Sequence, residues 1–154
     1  MRALFCMSHA SALAQIICGG LCQRFPKLNF VSVESGASWL PFALASLDWQ
    51  WKNCGVPEQH GDRFDLLPSE YFKRQIYGAF RFENNSLIKF AIDQLGADNI
   101  LYETDFPHPT SMSPGPATTA QRPPEYLGDV FAGIDETSVR KILHDNAARL
   151  YGLD

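Results

Sequence analysis

The chain has 154 residues, 45% hydrophobic and 19% charged, the length of one domain with enough apolar material for a packed core, and wholesale disorder is excluded. Thirteen Lys and Arg stand against seventeen Asp and Glu, a formal net charge of −4 with no basic run, which argues against a nucleic-acid binder. No apolar run approaches the ~20 residues that span a bilayer, so neither nucleic acid nor membrane is an expected partner.

Leu13, Ile16, Ile17 and Leu21 recur at helical spacing, and the pattern predicts one amphipathic helix over 4–24, ended by Pro26. Cys18 and Cys22 fall one turn apart on it. With Cys6 and Cys54 they lack Cys-x-x-Cys spacing and read as small buried core residues in a reducing, cytoplasmic compartment. A β-rich run follows over 28–34. Gly36 allows a tight turn, and 39–51 reads as a second helix. Gly55, Pro57, Gly61 and Pro68 make 53–68 a long loop, and 69–74 a short helical turn.

Residues 75–80 are the second strand. Asn85 or Ser86 is expected to cap a helix that runs to Leu95 and closes at Gly96. Residues 99–104 are the third strand. Pro107, Pro109, Pro114, Pro116, Pro123 and Pro124 crowd the next segment, so 105–123 reads as a loop. Two helices finish the chain, near 124–132 and 135–151, with Asp135 capping the second and Asn146 interrupting it.

Strands alternating with helices predict an α/β fold: three parallel strands near 28–34, 75–80 and 99–104, adjacent in that order and joined by right-handed crossovers, with helices on one side. The long loops follow strands, on the face that carries chemistry in such folds. Three strands leave two bare sheet edges, whereas a closed barrel of this type needs eight strands.

Two strands end in carboxylates. Asp105 follows Leu101–Thr104 and precedes Pro107, a placement suited to a metal ligand or a general base, and equally to a turn cap. His108, three residues on, lines the same site or lies on a surface loop. Glu34 closes the first strand. With Asp105 it forms a pair suited to a metal or to acid–base work, or it simply caps its loop. Trp39, just beyond, is placed to wall a pocket, and His60, in the long loop, to overhang one. His9 and His144 read as helix-surface residues. Phosphate-binding, dinucleotide and nucleophile-elbow motifs are all lacking.

Phe25-Pro26-Lys27-Leu28, Glu34-Ser35-Gly36-Ala37-Ser38-Trp39-Leu40-Pro41, Pro68-Ser69-Glu70-Tyr71-Phe72, Thr104-Asp105-Phe106-Pro107-His108 and Asn146-Ala147-Ala148-Arg149-Leu150-Tyr151-Gly152-Leu153, in this order, resemble the amidohydrolase-related family. That family comprises TIM-barrel metal-dependent hydrolases and aminocarboxymuconate-semialdehyde decarboxylase-like enzymes. The resemblance implies that residues 1–154 form the C-terminal portion of a (β/α)8 barrel, about its last three β/α units. It implies that Asp105 is the catalytic, metal-binding aspartate of the last strand and that His108 is the histidine of the same motif. Glu34 stands where some relatives carry a histidine.

The cofactor implied is a divalent metal, expected to be zinc. The reaction implied is hydrolysis, or non-oxidative decarboxylation, of a small molecule bearing a carboxylate, amide or lactone. The His-x-His pair of the family's first strand and the histidine of its fifth have no counterpart here. A catalytic zinc site commonly takes three protein ligands plus water, so the chain reads as a truncated barrel, inactive alone. The alternative is a non-catalytic subunit whose bare edges pair with a second copy or with a partner chain supplying the N-terminal half-barrel.

Overall fold

A computed structural model describes residues 5–60, 63–109 and 111–153. Its elements in chain order are α1 (Phe5–Cys18), α2 (Leu21–Arg24), β1 (Phe30–Ser32), α3 (Leu40–Asn53), α4 (Val56–His60), α5 (Pro68–Gln75), β2 (Ile76–Phe80), α6 (Asn85–Leu95), β3 (Ile100–Tyr102), α7 (Pro123–Val130) and α8 (Glu136–Arg140), which passes through a π-helical turn (Lys141–Asp145) into α9 (Asn146–Tyr151). The three strands lie in the order β1-β2-β3, both pairs parallel, with Val31 opposite Tyr77 and Ala79 opposite Leu101. The parallel α/β expectation therefore holds, with strands shorter than the β-rich runs that mark them. Among the described residues no helix is long and apolar enough to cross a membrane.

The differences are local and have identifiable causes. The helix expected over 4–24 is two helices, because Gly20 sits at φ +76°, a conformation open to glycine, and turns the chain. Cys18 and Cys22 are thereby separated, and of the four free cysteines Cys22 alone is buried. The expected loop over 53–68 contains α4. Its Phe64 ring packs edge-on against Trp51, 4.8 Å between centroids, and against Tyr71, drawing the segment onto the helix layer. Asn84, rather than Asn85 or Ser86, caps α6 by accepting from the Leu87 N–H. The last helix is interrupted near Asn146, by the π-helical turn Lys141–Asp145 directly before it, and Asn146 itself is buried.

Alternation along the strands gives the sheet two unlike faces. Ile76, Phe80 and Ile100 face the main core, built with Leu13 and Ile17 of α1, Leu40 and Leu44 of α3, Tyr71 and Phe72 of α5, and Ile88 and Ala91 of α6. Gly78 lies on the same face, and Leu40 approaches it so closely that a Cβ there would clash with Leu40 Cδ1. The other face carries a small cluster, Tyr77, Ala79 and Leu101, with Val31, Ala147 and Leu150 against it. The terminal helix thus wraps the β3 edge, Ile142 entering the main core and α9 reaching the second face. At the β1 edge no further strand pairs among the described residues.

Neutral side chains fasten the N-terminal end of the sheet. Gln75 Nε2 donates to the carbonyls of Phe25 and Leu28. Asn99 Nδ2 donates to Ile76, and Asn146 Nδ2 to Ala97 at 2.7 Å and Ile100 at 2.8 Å. Each amide donates to backbone oxygens at the strand starts, as the second donor for Phe25 and Ala97, whose carbonyls also accept the N–H groups of Leu28 and Ile100.

Candidate active site

The alternation that places Tyr77, Ala79 and Leu101 on the second face continues past the strand ends to Arg81, Glu103 and Asp105. The three strand ends converge on the Arg81 guanidinium. Its Nη1 lies 3.6 Å from Glu34 Oε2 and its Nη2 3.5 Å from Asp105 Oδ2. The Arg81 side chain is 9% exposed, against 36% for Glu34 and 19% for Asp105. His108 Nδ1 stands 3.2 Å from the same Asp105 oxygen, and the His108 N–H donates to the Asp105 carbonyl, so one tight turn carries both groups. A cis Phe106–Pro107 bond lies within that turn.

Glu34 at φ +59° and Asp105 at φ +61° are the two non-glycine residues with positive φ among those described. Such conformations cost of order 1–3 kcal/mol each and cluster at functional sites. Here both occur at strand ends and both side chains reach one cation. Glu103 binds the arrangement together: its carboxylate accepts the Glu34 N–H. Burial pushes the Glu103 carboxyl above its ordinary range, with the charges of Glu34 and Asp105 acting in the same sense. The Glu34 N–H and Arg81 oppose the shift.

Beneath these groups Glu83 is 1% exposed and holds two loops at once. Its Oε1 accepts from the N–H groups of Ala37 and Ser38, after β1, and its Oε2 from those of Arg81 at 3.1 Å and Phe82 at 3.2 Å, after β2. Its carbonyl accepts from the Tyr126 hydroxyl at 2.8 Å. Burial, then the charge of Glu83, then Tyr102, push the Tyr126 phenol well above its usual range.

The structure therefore brings together Glu34, Asp105 and His108. Trp39 follows Glu34 in the chain, but its indole N–H donates to the Gly36 carbonyl and its ring packs against the main core. His60 lies elsewhere, beside the α1–α2 turn with Gly19, Gly20, Gln23 and Arg63, since its segment follows α3 rather than a strand. Arg81, Glu83 and Glu103 were missed by pattern reading. The available clue was a run of charge at two strand ends, Arg81-Phe82-Glu83 and Glu103-Thr104-Asp105. His9, read as a helix-surface residue, hydrogen-bonds through Nδ1 to Ser32 Oγ at 2.8 Å at the end of β1, and Ser32 in turn meets Ser35.

Among the described residues no three His, Cys, Asp or Glu side chains form a set that could hold a metal ion. The two carboxylates best placed for one share an arginine instead, so the chain's own donors do not fit a divalent metal.

A protein-family model described as Amidohydrolase matches residues 4–153. The chain belongs to the amidohydrolase family. Among solved structures, it is similar to an amidohydrolase from Mycobacterium avium subsp. paratuberculosis, with 26% identity and a TM-score of 0.71 over 96% of this chain and 34% of the other. It is also similar to the 5-carboxyvanillate decarboxylase of Sphingomonas paucimobilis, with 28% identity and a TM-score of 0.67 over 93% of this chain and 39% of the other. A dihydroxybenzoic acid decarboxylase from Polaromonas sp., solved with manganese and 2-nitroresorcinol, shares the fold at 21% identity and a TM-score of 0.69, over 94% of this chain and 40% of the other. No curated protein sequence matches the chain. The chain spans well under half the length of these amidohydrolase-family structures, and its three parallel β/α units are part of a (β/α)8 barrel. Glu34, Arg81, Glu103 and Asp105 lie at the C-terminal ends of the strands, the end where such barrels carry their chemistry.

Proposed function

We propose that the chain supplies the last three β/α units of a metal-dependent hydrolase or non-oxidative decarboxylase acting on a small carboxylate-, amide- or lactone-bearing molecule, and that it does not turn over substrate alone. The observation that carries this reading is Asp105: a strand-end carboxylate in left-handed backbone, held against Arg81 and His108, in a chain of the amidohydrolase family. In a completed barrel Asp105 would supply one ligand to a divalent ion, with the remaining ligands coming from outside the described residues. Zinc is the family expectation, and the manganese of the Polaromonas structure makes that ion an equal subject for assay.

The chain's own residues supply position and proton handling. Asp105 is placed to take up or return a proton as general base and acid, which is typically worth ~10²–10⁴-fold in rate. His108 fixes the Asp105 carboxylate through the contact to Oδ2. Glu103 fixes the Glu34 turn through the backbone N–H, and Glu83 sets the height of that turn relative to Arg81. The four free cysteines support a cytoplasmic setting.

A second reading, a non-catalytic subunit that pairs with a second copy or a partner half-barrel, is favoured by one observation: β1 lacks a further strand partner among the described residues. One experiment separates the two. The chain is co-produced with a chain bearing the five preceding β/α units and their His-x-His strand, then dialysed and assayed for metal content and turnover. About one divalent ion per complex and turnover that vanishes in Asp105→Asn support the catalytic reading. A stable complex without metal or turnover supports the other.

A further inference from the structure

Arg81 is seated between two carboxylates with its side chain 9% exposed. Its guanidinium is nearly buried, its Nη1 faces Glu34 Oε2 and its Nη2 faces Asp105 Oδ2. Its backbone N–H is held by Glu83 Oε2, so the root of the side chain is fixed as well as its tip. The Glu103 carboxylate adds a third acidic group and shares the field of Arg81. Asp105 Oδ2 meets His108 Nδ1 as well as the guanidinium.

A divalent ion binds carboxylate oxygens at about 2.0–2.2 Å. An ion bound at that distance between Asp105 Oδ2 and Glu34 Oε2 takes the space of the Arg81 guanidinium, which faces both oxygens, and its charge repels the guanidinium in a partly desolvated setting where screening is weak. One position between Glu34 and Asp105 cannot hold both cations. We propose that Arg81 is the resident cation of this site, excluding a divalent ion from the Glu34–Asp105 pair until the guanidinium turns away. This goes beyond the reaction proposed above. It describes what the chain's own carboxylates hold, and it makes Arg81 the group a metal must displace to reach Asp105.

The test uses the full chain and Mn²⁺ alone, followed by loss of the free-ion electron paramagnetic resonance signal. The wild-type chain is expected to leave the signal unchanged. Arg81→Met, which keeps an apolar stem and removes the charge, is expected to bind Mn²⁺ at least about tenfold more tightly, since removing one adjacent cation changes the local field by that order. The gain should disappear in Arg81→Met/Asp105→Asn. Arg81→Gln serves the same purpose if circular dichroism shows that Arg81→Met does not fold. Manganese-induced broadening of amide resonances in the wild-type chain gives a second readout, in which Glu34 and Asp105 should broaden no more than the remote Asp98. Binding by wild type as tight as by the charge-removed variant overturns the proposal. So does absence of any gain on removing the charge, a gain that survives Asp105→Asn, or selective broadening at Glu34 and Asp105 in the wild-type chain. Metal content and turnover of the completed barrel decide the reaction separately.

Discussion

The two ends of the sheet solve the same problem with opposite materials. At the N-terminal end the short strands stop, and neutral amides close the gap: Gln75, Asn99 and Asn146 each donate to backbone carbonyls. At the C-terminal end the closing groups are charged. Glu34, Arg81, Glu103 and Asp105 face one another, and two of the four sit in left-handed backbone. Neutral amides matched to carbonyls are satisfied in one geometry and gain nothing from moving. A guanidinium facing two carboxylates holds charge that an arriving cation or proton would shift. One end is built to stay and the other to respond, which is the division of labour expected of parallel β/α architectures.

The sharpest way to break this comparison is at the charged end. In a barrel completed as described above, Asp105→Asn is expected to lower turnover by ~10²–10⁴-fold while leaving the melting temperature of the chain nearly unchanged. A large loss of stability with activity intact would reverse the roles of the two ends. At the neutral end the expectation is the converse. Asn146→Ala removes the donor to the Ile100 carbonyl in a buried place and leaves Ala97 only the Ile100 N–H, at a cost of ~1–3 kcal/mol for a group left unsatisfied. Thermal unfolding should report a loss of several degrees, with metal binding by Arg81→Met unaffected by the added change.

Between the ends, Gly78→Ala drives a methyl group into Leu40 Cδ1. Overpacking of this kind costs ~1–3 kcal/mol, and Leu40→Ala in the same chain should recover part of it, a coupling that a double-mutant cycle measures directly. The smallest effect concerns Asp135, which caps α8 far from either end. The Ser138 N–H holds its carboxyl below the ordinary 3.8. The folded value is depressed, so its contribution is complete above the unfolded value near pH ~3.9 and is lost as pH falls through the folded one. Asp135→Asn should flatten that part of the stability–pH curve in denaturant titrations, and an unchanged slope would show that the cap carries no such linkage.

How much of this was legible in the sequence follows from what each feature depends on. The order of strands and helices, and the parallel arrangement, depend on periodicity and turn residues, and both are visible in a single chain. Glu34 and Asp105 were legible because they end β-rich runs. Arg81 was not, because a charge directly after a strand usually marks a solvated loop, and its burial depends on partners 47 and 24 residues away. Glu83 was hidden for the same reason: four backbone N–H groups from two separate loops make it a buried residue, and nothing local announces them. His60 misled because the segment over 53–68 was counted among the loops at the strand ends, whereas it follows α3, and Phe64 packs it against Trp51 and Tyr71. Gly19-Gly20 was read through as helix because the apolar spacing continues across it into Leu21.

The carboxylate of Glu83 gives loop amides a property that normally belongs to strands. The N–H groups of Ala37, Ser38, Arg81 and Phe82 lie outside the sheet ladder, yet each is bonded to one buried side chain. Amides of this kind trade with solvent deuterium only when their acceptor departs. A single departure frees all four, so their exchange should proceed at one common rate, slower than that of other loop amides and shifted together by any substitution at position 83. The two loops that carry Glu34 and Arg81 then keep a shared clock, and their opening can be timed from either side.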